Sequence, residues 1–369
     1  MLPTILAAVL LVQTSEPASR AGDWPIFRGN ARLTGVATSD LPPKPVVRWR
    51  FEAGDVIESS AAIADGVAYV GCDNGILFAL DLAKGKPRWK YESKSAIKSA
   101  VSVYGDLIYF GDEDGVFHAL DRRSGSEKWS FKTGGEIVSA ANCVGDRLVF
   151  GSYDGSLYCL STKDGRQLWK ADTEDKLHGT PAIADDVVLA SGCDARMHIV
   201  RLSDGTNVKS VPLASPCAAS AATLGERVFV GTMGNQVLGL DWKSGKRLWL
   251  YENPDRQFPF FSSAAVTEKF VVIGGRDKSV HALDPSTGKA LWTFPTQGKV
   301  DASPVIVGDR VFVASTDGRL YAVSLESGKE RWRFDAGSGF YATPAIGESC
   351  LVVGTEDGAI YCLGEAAGN

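Results

Sequence analysis

Histidine, cysteine and the acidic residues are the side chains of this sequence that could support acid–base, nucleophilic or metal chemistry. Metal sites and nucleophilic sites need such residues at short, defined spacings. The seven cysteines form no CxxC pair and no Cys/His cluster, and the four histidines lie far apart in the sequence. No glycine-rich phosphate loop and no nucleophile elbow is present. The sequence therefore predicts no catalytic residues, no bound metal and no resident cofactor.

A second candidate is a set of eight residues that recur about every forty positions, each just before a run of small residues. They differ in charge and size, whereas the residues that follow them are Ser, Ala, Gly or Thr. A position held only by packing would be more uniform, so we expect these side chains to surround the mouth of a channel. The mouth could bind a peptide or small ligand, or it could be a solvated rim without a ligand. The set is Glu58, Lys98, Val138, His178, Ala218, Phe261, Asp301 and Tyr341.

A third candidate is the stretch YENPDRQFPFFSS (251–263), which contains a three-residue insertion into the repeat. Exposed aromatic residues beside arginine are typical of the centres of protein interfaces. The stretch therefore predicts a docking surface for a protein partner; the alternative is that its phenylalanines pack beneath their own loop. The residues predicted to form the surface are Arg196, Arg256, Phe258, Phe260, Phe261 and Arg276.

A repeat of about forty residues positions these candidates. SSAAIADGVAYVGCDNGILFALDLAKGKPRW (59–89) aligns with the segments that begin at Ser99 and Ser139, and further copies begin near Gly179, Ala219, Ser262, Ala302 and Ala342. Each copy contains four strand-like runs separated by turns rich in Gly, Asp and Asn, which suit tight hairpins. Four-stranded units repeated eight times predict an all-β, eight-bladed propeller. On this fold His118, His198 and His281 fall on third strands and are expected to pack within blades.

The eighth copy stops at GAIYCLGEAAGN, before any tryptophan-bearing strand, while KPVVRWRFEAG (44–54) carries such a strand with no copy before it. We therefore expect residues 44–53 to complete the blade formed by residues 342–364 and so close the ring. Lys209 replaces the tryptophan of the fourth blade. The tryptophans expected to dock neighbouring blades are Trp49, Trp89, Trp129, Trp169, Trp249, Trp292 and Trp332.

The stretch HALDPSTGKALW (281–292) resembles the pyrroloquinoline-quinone (PQQ) propeller repeat, and DWPIFRGNARLTGV (23–36) resembles the opening segment of that superfamily. The resemblance implies one of two branches. Quinoprotein dehydrogenases hold PQQ and Ca²⁺ and usually have adjacent cysteines and long insertions, which this chain lacks. The BamB-like branch, in barrel assembly, matches the chain in length and organisation and implies a non-enzymatic scaffold for protein partners. A PQQ-binding oxidoreductase or its relic, and a sugar or peptide binder that uses the channel, remain alternatives.

Residues 1–21 contain a short apolar run, Ile5 to Val12, followed by Ser19-Arg20-Ala21, and predict a signal peptide cleaved after Ala21. We therefore expect a periplasmic or secreted protein, with residues 22–369 as a single domain. No cysteine near the cleavage region could accept a lipid, so any membrane association would be indirect. The net charge of −5 argues against nucleic acid as a partner. A monomer is expected, and in an oxidising compartment Cys193 and Cys217 could form a disulfide.

Overall fold

Residues 22–366, the part of the chain that the structure describes, form thirty-two β-strands arranged as eight four-stranded sheets. This computed structural model confirms the predicted all-β, eight-bladed propeller. In blades 1 to 7, four consecutive strands pair antiparallel in chain order, from the central channel to the outer rim. The predicted signal peptide, residues 1–21, lies outside the described residues.

The strands of blades 1 to 4, preceded by the first strand of the chain, are β1 (Val46–Glu52), β2 (Ala62–Ala64), β3 (Val67–Gly71), β4 (Ile76–Asp81), β5 (Pro87–Glu92), β6 (Ser102–Tyr104), β7 (Leu107–Gly111), β8 (Val116–Asp121), β9 (Glu127–Lys132), β10 (Asn142–Val144), β11 (Arg147–Ser152), β12 (Ser156–Ser161), β13 (Gln167–Asp172), β14 (Ala182–Ala184), β15 (Val187–Ser191), β16 (Arg196–Arg201) and β17 (Asn207–Pro212). Those of blades 5 to 8 are β18 (Ala222–Leu224), β19 (Arg227–Gly231), β20 (Gln236–Asp241), β21 (Lys246–Glu252), β22 (Ala265–Val266), β23 (Val271–Gly275), β24 (Ser279–Leu283), β25 (Ala290–Pro295), β26 (Val305–Val307), β27 (Arg310–Ala314), β28 (Arg319–Ser324), β29 (Glu330–Asp335), β30 (Ala345–Gly347), β31 (Cys350–Gly354) and β32 (Ala359–Gly364).

The two ends of the described chain share blade 8. Its strand order is β1-β32-β31-β30, and β1 pairs antiparallel with β32 so that Trp49 lies opposite Cys362. At the inner end of the sheet, the backbone N–H of Thr343 donates a 3.1 Å hydrogen bond to the hydroxyl of Ser60 in blade 1. The ring therefore closes as the sequence predicts, with β1 as the outer strand of the last blade.

Tryptophans on the outer strands fasten each blade to the next. The indole N–H of Trp89 donates to the carbonyl oxygen of Arg122 (3.1 Å), and a Cβ added at Gly125 would lie 2.6 Å from the Trp89 ring. The same packing of an indole against the turn glycine of the next blade recurs at Gly85, Gly165, Gly205, Gly288 and Gly328. Where blade 4 has Lys209, its Nζ donates to the carbonyl oxygen of Lys243 (2.6 Å) and so reproduces the indole hydrogen bond. The substitution keeps the polar contact but buries less apolar surface.

Residues 22–43, here called the strap, run around the bottom end of the channel and touch every blade. The strap makes backbone hydrogen bonds of 2.7–2.9 Å to seven blades, and the side chain of Asn142 supplies the contact from the remaining one. The blade residues involved are Ile63, Val103, Asn142, Ile183, Thr223, Val266, Ile306 and Glu348. The strap therefore reinforces ring closure and closes one end of the channel.

Arg28 lies fully buried in the strap. Its Nη2 donates to the carbonyl oxygen of Ala264 (2.9 Å), while Nε and Nη1 have no hydrogen-bond partner among residues 22–366. Burial lowers the pKa of Arg28 to about 9. The guanidinium fits here because residue 35 is a glycine, where an added Cβ would lie 1.9 Å from Nη2.

Within residues 22–366 there is no helix long and apolar enough to cross a membrane.

Candidate functional site

The eight residues predicted to surround the channel mouth all line one cavity on the top face, here called the cup. The top face carries the turns between second and third strands and the loops that leave each outer strand. The cup has a volume of about 150 Å³. Its rim consists of Glu58, Lys98, Val138, His178, Ala218, Phe261, Asp301 and Tyr341. The structure therefore brings the whole predicted set together.

Below the rim, a ring of hydroxyl groups surrounds the cup. Going round the ring, the backbone N–H of one blade donates to the hydroxyl oxygen of the next: Thr180 to Ser220 (2.8 Å), Ser220 to Ser263 (2.9 Å), and onward. In blades 2 and 3 the equivalent residues are Ala100 and Ala140, which carry no hydroxyl group. The hydroxyl acceptors of the other six blades are Ser60, Thr180, Ser220, Ser263, Ser303 and Thr343. Because each hydroxyl oxygen accepts a backbone hydrogen bond, its own proton is available for a second one. In each blade the residue that belongs to this ring follows the rim residue by two positions, so the same repeat alignment could have identified the ring.

Phe27 of the strap is the floor of the cup. It enters the lining from the bottom of the ring and so bounds the cup from below. Sequence reasoning missed this residue because nothing in the local pattern of DWPIFRGNARLTGV shows where the segment runs. The nearest signal was that this segment precedes the first strand and belongs to no repeat.

Carboxylates outnumber the cations around Lys98. Its Nζ lies 2.9 Å from Glu113, 3.8 Å from Glu58 and 3.9 Å from Asp73. Burial, followed by the charge of Glu58, raises the pKa of Asp73 to about 6, against the opposing effect of Lys98. The hydrogen bond to Glu113 raises the pKa of Lys98, so this lysine stays charged. One side of the mouth therefore carries net negative charge.

On the opposite side of the mouth, Arg276 joins two rim residues. Its Nε and Nη2 each lie 2.9 Å from the carboxylate oxygens of Asp301, and its guanidinium lies 3.6 Å from the centre of the Phe261 ring. A bidentate ion pair stacked on an aromatic ring holds all three side chains in fixed positions. Phe261 thus belongs to the mouth of the cup, beside Arg276.

His178 is a neutral rim residue. Its Nδ1 lies 2.5 Å from the hydroxyl of Tyr153, and burial lowers the pKa of His178. Lys176 Nζ lies 4.7 Å from the centre of the Tyr153 ring. Among residues 22–366 no group of three or more His, Cys, Asp or Glu side chains could hold a metal ion.

The insertion loop of blade 6 divides its phenylalanines between the surface and the core. Phe258 is 48% exposed on the top face, whereas Phe260 is 1% exposed and contacts the rings of Tyr251 and His281. The prediction that Phe260 belongs to an exposed surface is therefore wrong, because this side chain fills the core between blades 5 and 6. Arg256 Nη1 donates to the carbonyl oxygen of Asp277 (3.1 Å), which fixes the loop to the adjacent turn.

Arg196 does not join this group. It begins β16 in blade 4, where its Nε donates to the hydroxyl of Ser210 in the same blade (2.6 Å). The predicted docking surface therefore reduces to Arg256, Phe258, Phe261 and Arg276, all from blade 6 or the loop that leads into it.

Two further sets of sequence candidates are structural. Cys193 and Cys217 are free thiols, as are the other five cysteines, so the disulfide that these two could have formed is not present. The histidines of the third strands pack within blades, as predicted: His281 Nε2 lies 2.9 Å from Asp277, His198 Nε2 lies 2.6 Å from Asp194, and His118 Nε2 lies 3.1 Å from Asp112.

Comparison with known proteins places the chain in a family. A family model described as outer membrane protein assembly factor BamB matches residues 46–152, 153–293 and 276–369. No curated protein matches the chain in sequence.

Solved structures share the fold at low sequence identity. BamB from Moraxella catarrhalis superposes with a TM-score of 0.73 at 17% identity, covering 87% of this chain and 100% of that one. A quinohemoprotein alcohol dehydrogenase from Comamonas testosteroni superposes with a TM-score of 0.81 at 14% identity, covering 95% of this chain and 82% of that one. The computationally designed Ika8 protein superposes with a TM-score of 0.76 at 17% identity, covering 85% of this chain and 98% of that one. These likenesses show the propeller fold alone.

Proposed function

Because the chain belongs to the family of outer membrane protein assembly factor BamB, we propose that it is a non-enzymatic scaffold that works outside the cytoplasm and binds a protein partner through its top face. The export is supported by the predicted signal peptide. The interaction is supported by the geometry of the blade 6 loop.

The observation that carries this proposal is the way Phe258 is presented. The loop that holds it is fixed from below by buried Phe260 and at the side by the hydrogen bond from Arg256 to Asp277. The backbone N–H of Arg276 also donates to the carbonyl oxygen of Pro259 (3.1 Å). A half-exposed aromatic on a fixed loop loses little conformational entropy on binding, which favours an interface hot spot.

The test is affinity purification of the full chain from its native envelope fraction, with captured proteins identified by mass spectrometry. We expect Phe258→Ala to weaken capture of the partner by about thirtyfold, the effect of losing roughly 2 kcal/mol at a hot spot. Leu291→Ala is the matched control, because Leu291 is also 48% exposed on blade 6 but lies on its outer strand. An unchanged set of captured proteins with Phe258→Ala would contradict the proposal.

The residues of the cup do not fit a quinone cofactor of the kind that the dehydrogenase branch holds. The volume of about 150 Å³ is smaller than the roughly 300 Å³ at which pockets for drug-sized ligands begin, and PQQ is a ligand of that size. PQQ is a tricarboxylate and needs unpaired cations, but Lys98 is already bound to Glu113 and Arg276 to Asp301.

A direct test of the enzyme alternative is to add PQQ and Ca²⁺ to the purified protein. We expect no shift in melting temperature and no dye reduction with alcohols or sugars. A thermal shift accompanied by alcohol-dependent dye reduction would replace the scaffold proposal with an oxidoreductase.

A second candidate function is binding of a small polar group in the cup, such as a peptide side chain or a sugar. The observation that favours it is the closed floor beneath a ring of hydroxyl groups, with Tyr341 half-exposed at the mouth. A thermal-shift screen of saccharides and short peptides tests it, with Tyr341→Ala as the variant expected to lose any shift. A shift that survives in Tyr341→Ala would argue against binding at the mouth.

A further inference from the structure

Within residues 22–366, no strand pairs with the outer edge of any blade, and most blades protect that edge with polar or charged side chains. Unpaired edges bind other strands, and charged residues are a common protection against such pairing. The residue after the docking tryptophan, or after Lys209 in blade 4, is polar or charged in seven blades: Arg50, Lys90, Ser130, Lys170, Ser210, Thr293 and Arg333. In blade 5 it is Leu250.

The edge of blade 5 is also apolar on the other side of its tryptophan. Leu248 is 47% exposed and Leu250 is 36% exposed, while Trp249 between them is buried. With seven residues, β21 is longer than the six-residue outer strands of most other blades. Blade 5 therefore presents an unprotected edge with an apolar centre.

The charges at the two ends of β21 identify what could pair with it. The strand begins with exposed Lys246 and Arg247 and ends with exposed Glu252. If a second copy of β21 runs antiparallel beside the first, the basic start of each strand faces the acidic end of the other, and the leucines meet in the centre. The sequence KRLWLYE is thus complementary to itself in antiparallel register.

We propose that the outer edge of blade 5 is a homodimer interface in which β21 of two copies pair antiparallel about a two-fold axis. Such an isologous contact joins two four-stranded blades into one continuous sheet. A β-bulge at Leu248, where the register shifts between Arg247 and Trp249, shortens the ladder that can form. We therefore expect a small interface, below about 1,200 Å², and a weak dimer that forms only at high protein concentration. The proposed dimer does not depend on the proposed scaffold function. At low protein concentration the chain would be a monomer, as the sequence predicts.

Sedimentation equilibrium over about a hundredfold range of concentration tests the proposal. We expect the weight-average mass of the wild type to rise from that of one chain toward that of two. The double variant Leu248→Lys/Leu250→Lys should remain at the mass of one chain throughout. These substitutions copy the basic residues Arg88 and Lys90 that blade 1 carries at the same positions, so the fold is expected to tolerate them. Leu291→Lys, an equally exposed leucine on the outer strand of blade 6, should dimerise like the wild type.

A charge exchange tests the antiparallel register. Lys246→Glu/Arg247→Glu gives one chain with an all-acidic edge, and Glu252→Lys gives another with an all-basic edge. Each alone should remain monomeric, whereas an equimolar mixture should form a heterodimer. A wild type that stays at the mass of one chain, a Leu291→Lys variant that loses association, or a mixture that fails to associate would each overturn the proposal.

Discussion

The indole N–H of Trp49 donates a 2.8 Å hydrogen bond to the carbonyl oxygen of Leu82, although Trp49 lies in the strand that completes blade 8 and Leu82 lies in blade 1. The N-terminal strand is therefore fastened to both of the blades that meet at the closure. Trp49 lies against Gly85 in the same way that Trp89 lies against Gly125. The closure thus uses the same contact as the junctions within the chain.

Removing the Trp49 side chain should open this junction. We expect Trp49→Ala to lower the free energy of unfolding by about 3–5 kcal/mol, the usual cost of truncating a buried aromatic. Trp169→Ala should cost a comparable amount, because Trp169 is also buried and its indole N–H donates to the carbonyl oxygen of Leu202 (2.9 Å). Denaturant unfolding of both variants beside the wild type measures this. Equal unfolding midpoints for Trp49→Ala and the wild type would contradict the closure by β1.

The turn glycine beneath Trp49 should be equally sensitive. A Cβ at Gly85 would lie 2.6 Å from the Trp49 ring, and the residue also has a φ of +68°. Gly105 has a similar φ of +61°, but no atom of the described part of the chain lies within 4 Å of an added Cβ. Gly105→Ala therefore measures the backbone cost alone, about 1 kcal/mol. We expect Gly85→Ala to be clearly more destabilising than Gly105→Ala in thermal unfolding. Equal costs would show that the contact with Trp49 contributes nothing.

The repeat made the fold predictable, because each copy specifies its own four strands and the missing strand of the last copy is found near the start of the chain. The rim of the cup was predictable for the same reason, because its residues, such as Glu58 and Asp301, occupy the same position of the repeat in successive blades. The repeat carries no such information about residues that break it. The path of the strap, and hence Phe27 as the floor, depends on contacts between segments far apart in the sequence.

The blade 6 loop shows the same limit at the level of single side chains. An insertion with several phenylalanines was identified from the sequence, but its composition does not show which ring enters the core. Phe260 is buried because the rings of Tyr251 and His281 line the space between blades 5 and 6, whereas Phe258 is left on the surface. The bidentate pair of Arg276 with Asp301 likewise joins residues that only the fold brings together.

The free energy of unfolding should depend on pH because of the Cys350 thiol in blade 8, where the ring closes. The Sγ of Cys350 lies 2.8 Å from Nη1 of Arg48 in the N-terminal strand. The hydrogen bond from Cys362, with the charge of Arg48, lowers the pKa of Cys350, and the same contact raises the pKa of Cys362. A thiol whose pKa is lower in the folded state stabilises the fold as pH rises from that value to about 8.5, the ordinary thiol pKa. Above about pH 8.5, the raised pKa of Cys362 opposes any further gain in stability.

We therefore expect the unfolding free energy of the wild type, relative to Cys350→Ala, to increase with pH up to about 8.5 and to be lost as pH falls through the folded pKa. Denaturant unfolding across this range measures the difference. Cys143→Ala is the control, because burial raises the pKa of Cys143 and predicts no such increase. A difference between the wild type and Cys350→Ala that is independent of pH would rule out a thiolate paired with Arg48.

Asp73 at the mouth of the cup should reduce stability at neutral pH. Its pKa is raised to about 6, chiefly by burial and then by Glu58, whereas an unfolded aspartate has a pKa of about 3.9. The unfolded chain releases this proton first, so the contribution of Asp73 becomes unfavourable as pH rises from about 4 to about 6. We expect Asp73→Asn to be more stable than the wild type at pH 7, with the advantage disappearing below about pH 4. Thermal unfolding at both pH values measures it.

Asp154→Asn is the control of opposite sign. Burial alone would raise the pKa of Asp154, but hydrogen bonds from Tyr158 and from the backbone N–H of Gly134 outweigh it and hold this pKa below its usual range. This variant should therefore lose stability at neutral pH. Residues that lower the stability of the fold tend to be retained at sites that bind a ligand or a partner. If the cup binds a ligand or part of a partner, Asp73→Asn should gain stability and lose binding together. A variant that gains stability with binding intact would show that Asp73 is not part of the binding surface.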